Sequence, residues 1–355
     1  MTPHKVGILG ATGMVGQRLV ERLNRHPWFR IQALCASERS TGKRYRDAVR
    51  WAISPDPPQE ISDRILRPCA TEDLADCDLV VSGLDAAVAL EVETECAQAG
   101  LAVVSNSSAH RKDADVPLLV PEVNADHLCL VALQQERTGG GFIVTNPNCS
   151  VTGLALALAP LHRACGVRKV VVATLQAMSG AGLDGPSGLD LVDNVLPFIA
   201  GEEEKIQDEL GKILGRAGRS GVDAAAVTVS AHCHRVGTLD GHLEAVSVEL
   251  GREISPEAAA EILSGFEGDA RGLGLPSAPI HPVVVRKEPD RPQPRLDRNT
   301  GDGMSVVVGR IRRCPVLTLR MVVLSHNTVR GAAGATVLNA ELLAARGLVP
   351  RRAAR

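Results

Sequence analysis

An α/β fold with two dissimilar halves is what the order of apolar runs along these 355 residues predicts. Up to about Thr145, short apolar runs alternate with helical patterns, the arrangement of a parallel, doubly wound sheet. Beyond Cys149 the pattern changes to long alternating runs at 227–236, 242–250, 305–312 and 317–325, which predicts a second, mostly antiparallel α+β unit. The length also exceeds one usual hydrophobic core, so two domains are expected, at 1–148 and 149–330, with 331–355 following as a final segment.

The first strand is read at Lys5-Val6-Gly7-Ile8-Leu9, and it runs directly into Gly10-Ala11-Thr12-Gly13-Met14-Val15-Gly16. Leu19, Val20 and Leu23 then carry a helical pattern. A strand, a Gly-rich turn and a helix in this order make a dinucleotide site: Gly10 permits the tight turn, Gly13 lets backbone approach a pyrophosphate, and Gly16 lets helix and strand pack closely. The spacing is GxxGxxG rather than GxGxxG, so the context carries the reading, and an ordinary Gly-rich turn is the plain alternative. A second strand at Ile31–Ala36 ends in Ser37-Glu38-Arg39-Ser40-Thr41-Gly42-Lys43. Arg39 between Ser37 and Ser40 suits a ribose 2′-phosphate and favours NADP, while Glu38 leaves NAD tolerated. Leu79–Ser82 reads as a strand, Ala86–Ala99 as a helix, Ala102–Ser105 and Phe142–Thr145 as further strands.

Asn146-Pro147-Asn148-Cys149-Ser150 joins that last strand to an Ala/Leu-rich helical run, Val151 to Leu161. Cys149 is therefore expected in the first turn of a helix, where free N–H groups and the dipole favour the reactive thiolate. A small buried Cys filling a gap is the bland alternative. Val170–Leu175 reads as a strand, 189–199 and 202–214 as helices, and 331–346 as a final helix before a solvated tail from Val349 to Arg355. Ser179-Gly180-Ala181-Gly182 is a second Gly-rich turn, suited to a cofactor or substrate or simply to turning the chain. Arg235 and His242 flank the turn Val236–Gly241, and a His near Cys149 would serve as general base and acid, a role for which His232 and His234 compete.

Composition narrows the class. A formal net charge of -2 gives no reason to expect nucleic acid or an anionic membrane, and no apolar run reaches membrane-spanning length. Met1-Thr2-Pro3-His4 leads straight into the first strand, with no room for a signal peptide, so a cytoplasmic protein is expected. The nine cysteines are scattered without CxxC pairs, which indicates neither a disulfide framework nor a metal site.

These segments resemble the aspartate-β-semialdehyde dehydrogenase family, in its archaeal and fungal branch. The resemblance runs nearly end to end, through Gly10–Gly16, Ser37–Lys43, Ser105-Asn106-Ser107-Ser108-Ala109-His110-Arg111, Val116–Asn124, Asn146–Ser150, Gln176–Gly182, Gly201-Glu202-Glu203-Glu204-Lys205, Arg235–His242 and Asn327–Glu341. It implies an N-terminal Rossmann domain completed by the C-terminal helix, and a catalytic and oligomerisation domain of the glyceraldehyde-3-phosphate-dehydrogenase-like type. It also implies reduction of aspartyl-4-phosphate by NADPH in a homodimer or homotetramer, serving lysine, threonine, methionine and diaminopimelate biosynthesis. Carried over residue by residue, Cys149 is the nucleophile, His242 the acid/base and Gln176 the group that orients the acyl intermediate. Arg235 holds the α-carboxylate, Glu202 meets the α-amino group, and Arg111, Lys205 and Asn148 receive the phosphate. Gly10, Thr12, Gly13, Met14, Val15, Gly16, Ser37, Arg39, Ser40, Ser82, Ser179, Gly180 and Asn327 fall to NADP, with no metal. An exposed ion pair on a helix face is the plain alternative for Glu202 and Lys205. His234, Gly237-Thr238 and Ser82-Gly83-Leu84 depart from the family pattern and leave room for a paralogue of shifted substrate preference. Two further readings stand beside this one: an acyl-CoA reductase acting on malonyl-CoA or succinyl-CoA, in which the Glu202–Lys205 segment would be lost, and a nucleotide-sensing protein without turnover.

Overall fold

A computed structural model describes residues 2–53 and 55–352. Five short strands, β1 (His4–Leu9), β2 (Phe29–Cys35), β3 (Leu79–Ser82), β4 (Ala102–Ser105) and β5 (Phe142–Thr145), form one sheet in the order β2-β1-β3-β4-β5. Every pairing in it is parallel. Helices cover both faces, so alternate residues of one strand enter different cores: Val80, Val103 and Ile143 pack on one side, Val81, Val104 and Val144 on the other. The strand order reverses between β1 and β3, the place where an open α/β sheet leaves a crevice for a ligand.

The second half contributes β6 (Val167–Gln176), β7 (Arg216–Gly218), β8 (Gly221–Asp223), β9 (Thr228–Arg235), β10 (His242–Leu250), β11 (Val283–Arg286), β12 (Val306–Arg313) and β13 (Leu319–Ser325). Six of them form a sheet in the order β11-β12-β13-β10-β6-β9, and β7 and β8 form a small hairpin outside it. The three central pairings are antiparallel, while β6–β9 and β11–β12 are parallel, so the sheet is mixed. Helix Cys149–Cys165 lies against one face and joins a core with Val170, Val172, Val246, Val248 and Val323. The other face carries Val171 and Leu175 half-exposed, which is why these strands alternate in sequence instead of reading as continuous apolar runs.

Two expectations give way, and one strand was not foreseen. The helix expected over 189–199 is only one turn, Gly188–Leu191, closed by a Ser187/Asp190 capping box. Asp193 then adopts a left-handed φ of 56°, and Leu196, held out of helical geometry by Pro197, pairs with Arg235 through two backbone bonds of 2.9 and 3.0 Å. Strand β11 has no counterpart in the sequence reading. The tail is not solvated throughout: Val349 is buried in the core of the first sheet and the Arg352 amide donates to Asp78 at 2.7 Å, while 353–355 lie outside the described residues. The final helix, Gly334–Ala345, sends Val337, Ala340 and Leu343 into that same core.

Candidate active site

Gly10 ends β1 with a left-handed φ of 72°, which turns the chain into helix Met14–Leu23. A side chain at Gly16 would strike the Gly10 carbonyl, so Gly16 serves packing and does not line the crevice. At Gly13 a methyl group would meet only the Gly10 oxygen, at an ordinary 3.6 Å. The protein therefore has room for Ala at position 13, on a residue that lines the crevice. Gly13→Ala is expected to leave thermal stability within about 1 kcal/mol of the parent while weakening NADP binding by about tenfold or more in a fluorescence titration. Equal affinity would remove Gly13 from the cofactor site.

The crevice above this turn has a volume of about 1190 Å³ and reaches from Thr12, Met14 and Val15 to Ser37, Arg39 and Ser40. Lys43 and Arg50 line it as well, so three cations share the crevice with Glu38, Asp47, Asp85 and Asp184. Arg39 remains the fork suited to a 2′-phosphate. The motif around Arg39 contains Lys43 without assigning it a role, and nothing in the sequence marks Arg50. Ser82 falls away from the crevice: it is fully buried at the end of β3 and faces Glu93 of helix Ala86–Gln98.

Met14, Val15 and Leu84 also line a second cavity, of about 360 Å³, so the two spaces adjoin. Cys149 is at its floor, as the first residue of helix Cys149–Cys165. Asn148 caps that helix through its side-chain oxygen, which accepts from the Ser150 and Val151 amides at 2.9 and 3.4 Å. Its amide nitrogen donates to both Glu202 oxygens, at 3.0 and 2.9 Å. Both ends of Asn148 are thus engaged by protein, so the residue shapes the site without offering a free group to phosphate. Gly331 lies in a wide turn, Val329–Ala333, that passes over the cysteine: a side chain there would come within 2.7 Å of Cys149 Cβ.

The Cys149 sulfur lies 3.1 Å from His242 Nε2, at the start of β10. The Ala177 amide donates to His242 Nδ1 at 3.0 Å. Assigned from this network, the proton of the neutral ring is on Nε2 and points at the sulfur. Burial first, and then the Arg235 guanidinium, pull the His242 pKa down to about 3. His242 is therefore a neutral donor to Cys149, and the general-base role expected from sequence does not fit a ring whose only other nitrogen already accepts a backbone N–H. The thiolate expectation changes too. Burial and the Glu202 carboxylate push the Cys149 thiol up to about 12, against the pull of Arg235 and Arg111. The helix start favours the anion, but desolvation outweighs it in the free enzyme.

Arg235 is buried and donates Nη1 to the Ala177 carbonyl at 2.8 Å; among the described residues no carboxylate pairs with it. It lies directly under Gly180, where a side chain would come within 2.8 Å of the guanidinium. Glu202 opens helix Glu202–Ile213 and is buried, so its pair with Lys205 Nζ at 3.0 Å is not the exposed surface contact of the alternative reading. Burial opposes ionisation of Glu202, yet Lys205, Asn148 and Gln176 together hold its pKa below the usual carboxylate value. Gln176 reaches the site through Glu202, to which its Nε2 donates at 3.2 Å. Arg111, Lys205, Ser179, Gly180 and Asn327 line the same cavity, and Asn327 Nδ2 donates to Ser179 Oγ at 2.8 Å. His232 is exposed and His234 Nδ1 lies 3.2 Å from the Thr174 carbonyl, so neither competes with His242.

Two family models match this chain: semialdehyde dehydrogenase, NAD binding domain, over residues 5–131, and semialdehyde dehydrogenase, dimerisation domain, over 158–330. An aspartate-semialdehyde dehydrogenase of Archaeoglobus fulgidus is 50% identical over 341 residues, 96% of this chain and 98% of that one. The chain belongs to the aspartate-semialdehyde dehydrogenase family. The Saccharomyces cerevisiae member is 45% identical over 358 residues, covering 97% of this chain and 98% of its own. The crystal structure of the family member from Candida albicans with NADP superposes with a TM-score of 0.91 at 43% identity, covering 98% of this chain and 100% of that chain. The archaeal and fungal resemblance read from the motifs agrees with these relatives.

Proposed function

We propose that this chain is an NADP-dependent aspartate-semialdehyde dehydrogenase that converts aspartyl-4-phosphate to aspartate semialdehyde through a thioester on Cys149. The observation that carries the reading is a thiol at a helix start beside Arg235, a buried guanidinium that forms no ion pair among the described residues. A buried cation of this kind calls for an anionic ligand, and the α-carboxylate of an aspartyl substrate is one. Glu202, held ionised, meets the α-ammonium, and Arg111 and Lys205 meet the phosphate.

Thr12, Gly13, Ser37, Arg39 and Ser40 would hold the dinucleotide, with its nicotinamide end toward Ser179, Gly180 and Asn327. NADPH, when bound, supplies a hydride to the acyl carbon. The protein's part begins with Cys149. Its sulfur bonds to the acyl carbon, the acyl C–O bond to phosphate breaks, and the departing phosphate oxygen carries away the thiol proton, which a fixed His242 has no free nitrogen to take. His242 Nε2–H donates to the sulfur and to the carbonyl oxygen as negative charge develops there. After reduction the C–S bond breaks and the sulfur leaves as thiolate, which takes a proton from water. His242 stays neutral throughout this sequence.

The named dimerisation domain supports an oligomer, and we place the homodimer contact on the open face of the six-stranded sheet, where Val171 and Leu175 are half-exposed. Among the described residues no helix is long and apolar enough to cross a membrane. The acyl-CoA reading is disfavoured by Glu202 and Lys205, two charges that such a substrate does not use.

Recognition is tested at the two charged anchors. Arg235→Lys replaces a planar fork with a point charge and is expected to reduce kcat/KM for aspartate semialdehyde by about 2–5 kcal/mol. Glu202→Gln is expected to impair aspartate semialdehyde while sparing succinate semialdehyde, which lacks the amino group. Equal losses on the two aldehydes would mean that Glu202 does not read the ammonium.

A further inference from the structure

We propose that Glu209 is a positioning residue that fixes Arg111 and the cap of the Cys149 helix in one frame, so that the phosphate and the sulfur meet the acyl carbon in register. This rests on the acyl-phosphate reading given above. Glu209 lies seven residues after Glu202 on the same face of helix Glu202–Ile213, and Ile206, Leu210 and Ile213 anchor that face in the core. Its carboxylate is buried and divides its two oxygens: Oε1 accepts Arg111 Nη1 at 2.9 Å, and Oε2 accepts the backbone N–H of Asn148 at 2.6 Å.

The consequence for Arg111 is specific. Nη1 is held by Glu209 and Nη2 by the Asn106 carbonyl at 3.0 Å, so the guanidinium cannot rotate. Its Nε–H is buried and has no partner among the described residues, although the residue lines the Cys149 cavity. A locked fork whose Nε–H is unpartnered is a preformed half of a phosphate contact. Lys212, one turn further along the same helix, donates to the Arg111 and Asp113 carbonyls at 2.8 and 2.7 Å and holds the backbone of that loop.

The electrostatic side points the same way. Arg111 pairs with Glu209 and Lys205 with Glu202, so each of the two cations is held in place by its own carboxylate.

The test is a double-mutant cycle in the phosphorolytic direction, with inorganic phosphate, NADP and aspartate semialdehyde. Glu209→Gln keeps the shape but turns one N–H toward Arg111 or toward the Asn148 amide. We expect kcat to fall by about tenfold or more and KM for phosphate to rise by about threefold or more, while KM for NADP stays within about twofold. In an Arg111→Ala background the same change is expected to cost several-fold less than in the parent, the remainder being its hold on the Asn148 amide. Glu209→Asp, which keeps the charge but is too short to reach both donors, carries the same cycle if the Gln variant does not fold. Full additivity with Arg111→Ala, or equal KM shifts for all three substrates, would overturn the proposal. A parent enzyme whose turnover ignores phosphate would instead overturn the acyl-phosphate reading itself.

Discussion

Cys149→Ser is expected to lose at least about 10³-fold in kcat while binding NADP as the parent does. Serine at this position keeps the helix cap and the His242 donor but not the chemistry. Its hydroxyl is a poorer nucleophile, and an ester is a poorer acyl donor to phosphate than a thioester. The structure sharpens the case, because His242 Nε2 already carries a proton and offers serine no base. Steady-state assays with a parallel NADP titration separate chemistry from folding. Retention of more than about a tenth of the activity would rule out the covalent route, since loss of a nucleophile removes far more.

The second large effect is at His242. His242→Asn is expected to lower kcat by about 10²–10⁴-fold, because the shorter amide cannot reach the sulfur. His242→Gln extends an N–H to nearly the place of Nε2 and is expected to recover about tenfold of that loss. A fixed donor and a titrating base differ on this point, since neither amide can act as a base. The pH profile separates them again. With a pKa of about 3, His242 is neutral at all working pH values, so the kcat profile carries no His inflection between about pH 6 and 8. Equal collapse of both variants, together with such an inflection in the parent, would restore the acid/base role. Changes at His232 or His234 should matter far less.

Much of the fold was legible because burial wrote itself into residue choice. Val80-Val81 and Val103-Val104 face two different cores, and a strand buried on both sides can only be apolar throughout. The junction at Cys149 was equally clear, since Asn148 is a strong capping residue placed between an apolar strand and an Ala/Leu-rich helix. The segment 189–199 misled because Leu189, Val192 and Val195 recur every three residues, as on a helix face. Pro197 and the left-handed Asp193 decide against it, and the apolar side chains stand exposed instead. Strand β11 is four residues on a sheet edge, too short to carry a period.

The site divides in the same way. Residue types and order singled out Cys149 and the Arg235–His242 turn, the family resemblance singled out Glu202 and Lys205, and the structure brings these residues together. Strand parity, which sequence does not fix at a strand end, turned Ser82 inward toward Glu93. Ionisation was out of reach because it depends on burial and on groups brought together from distant segments: burial and then Glu202 raise the Cys149 pKa, and burial and then Arg235 lower that of His242. Glu209 had a signal in its seven-residue spacing from Glu202, but a second acid on one helix face reads as solvated until its burial is known.

The covalent, phosphate-dependent route is tested most directly by a single-turnover experiment without phosphate. Enzyme mixed with NADP and aspartate semialdehyde is expected to release one NADPH per active site and stop, with the acyl group found on Cys149 by mass spectrometry. Added phosphate should discharge that adduct and start continuous turnover. Continuous turnover with coenzyme A in place of phosphate, or no adduct on Cys149, would contradict the account.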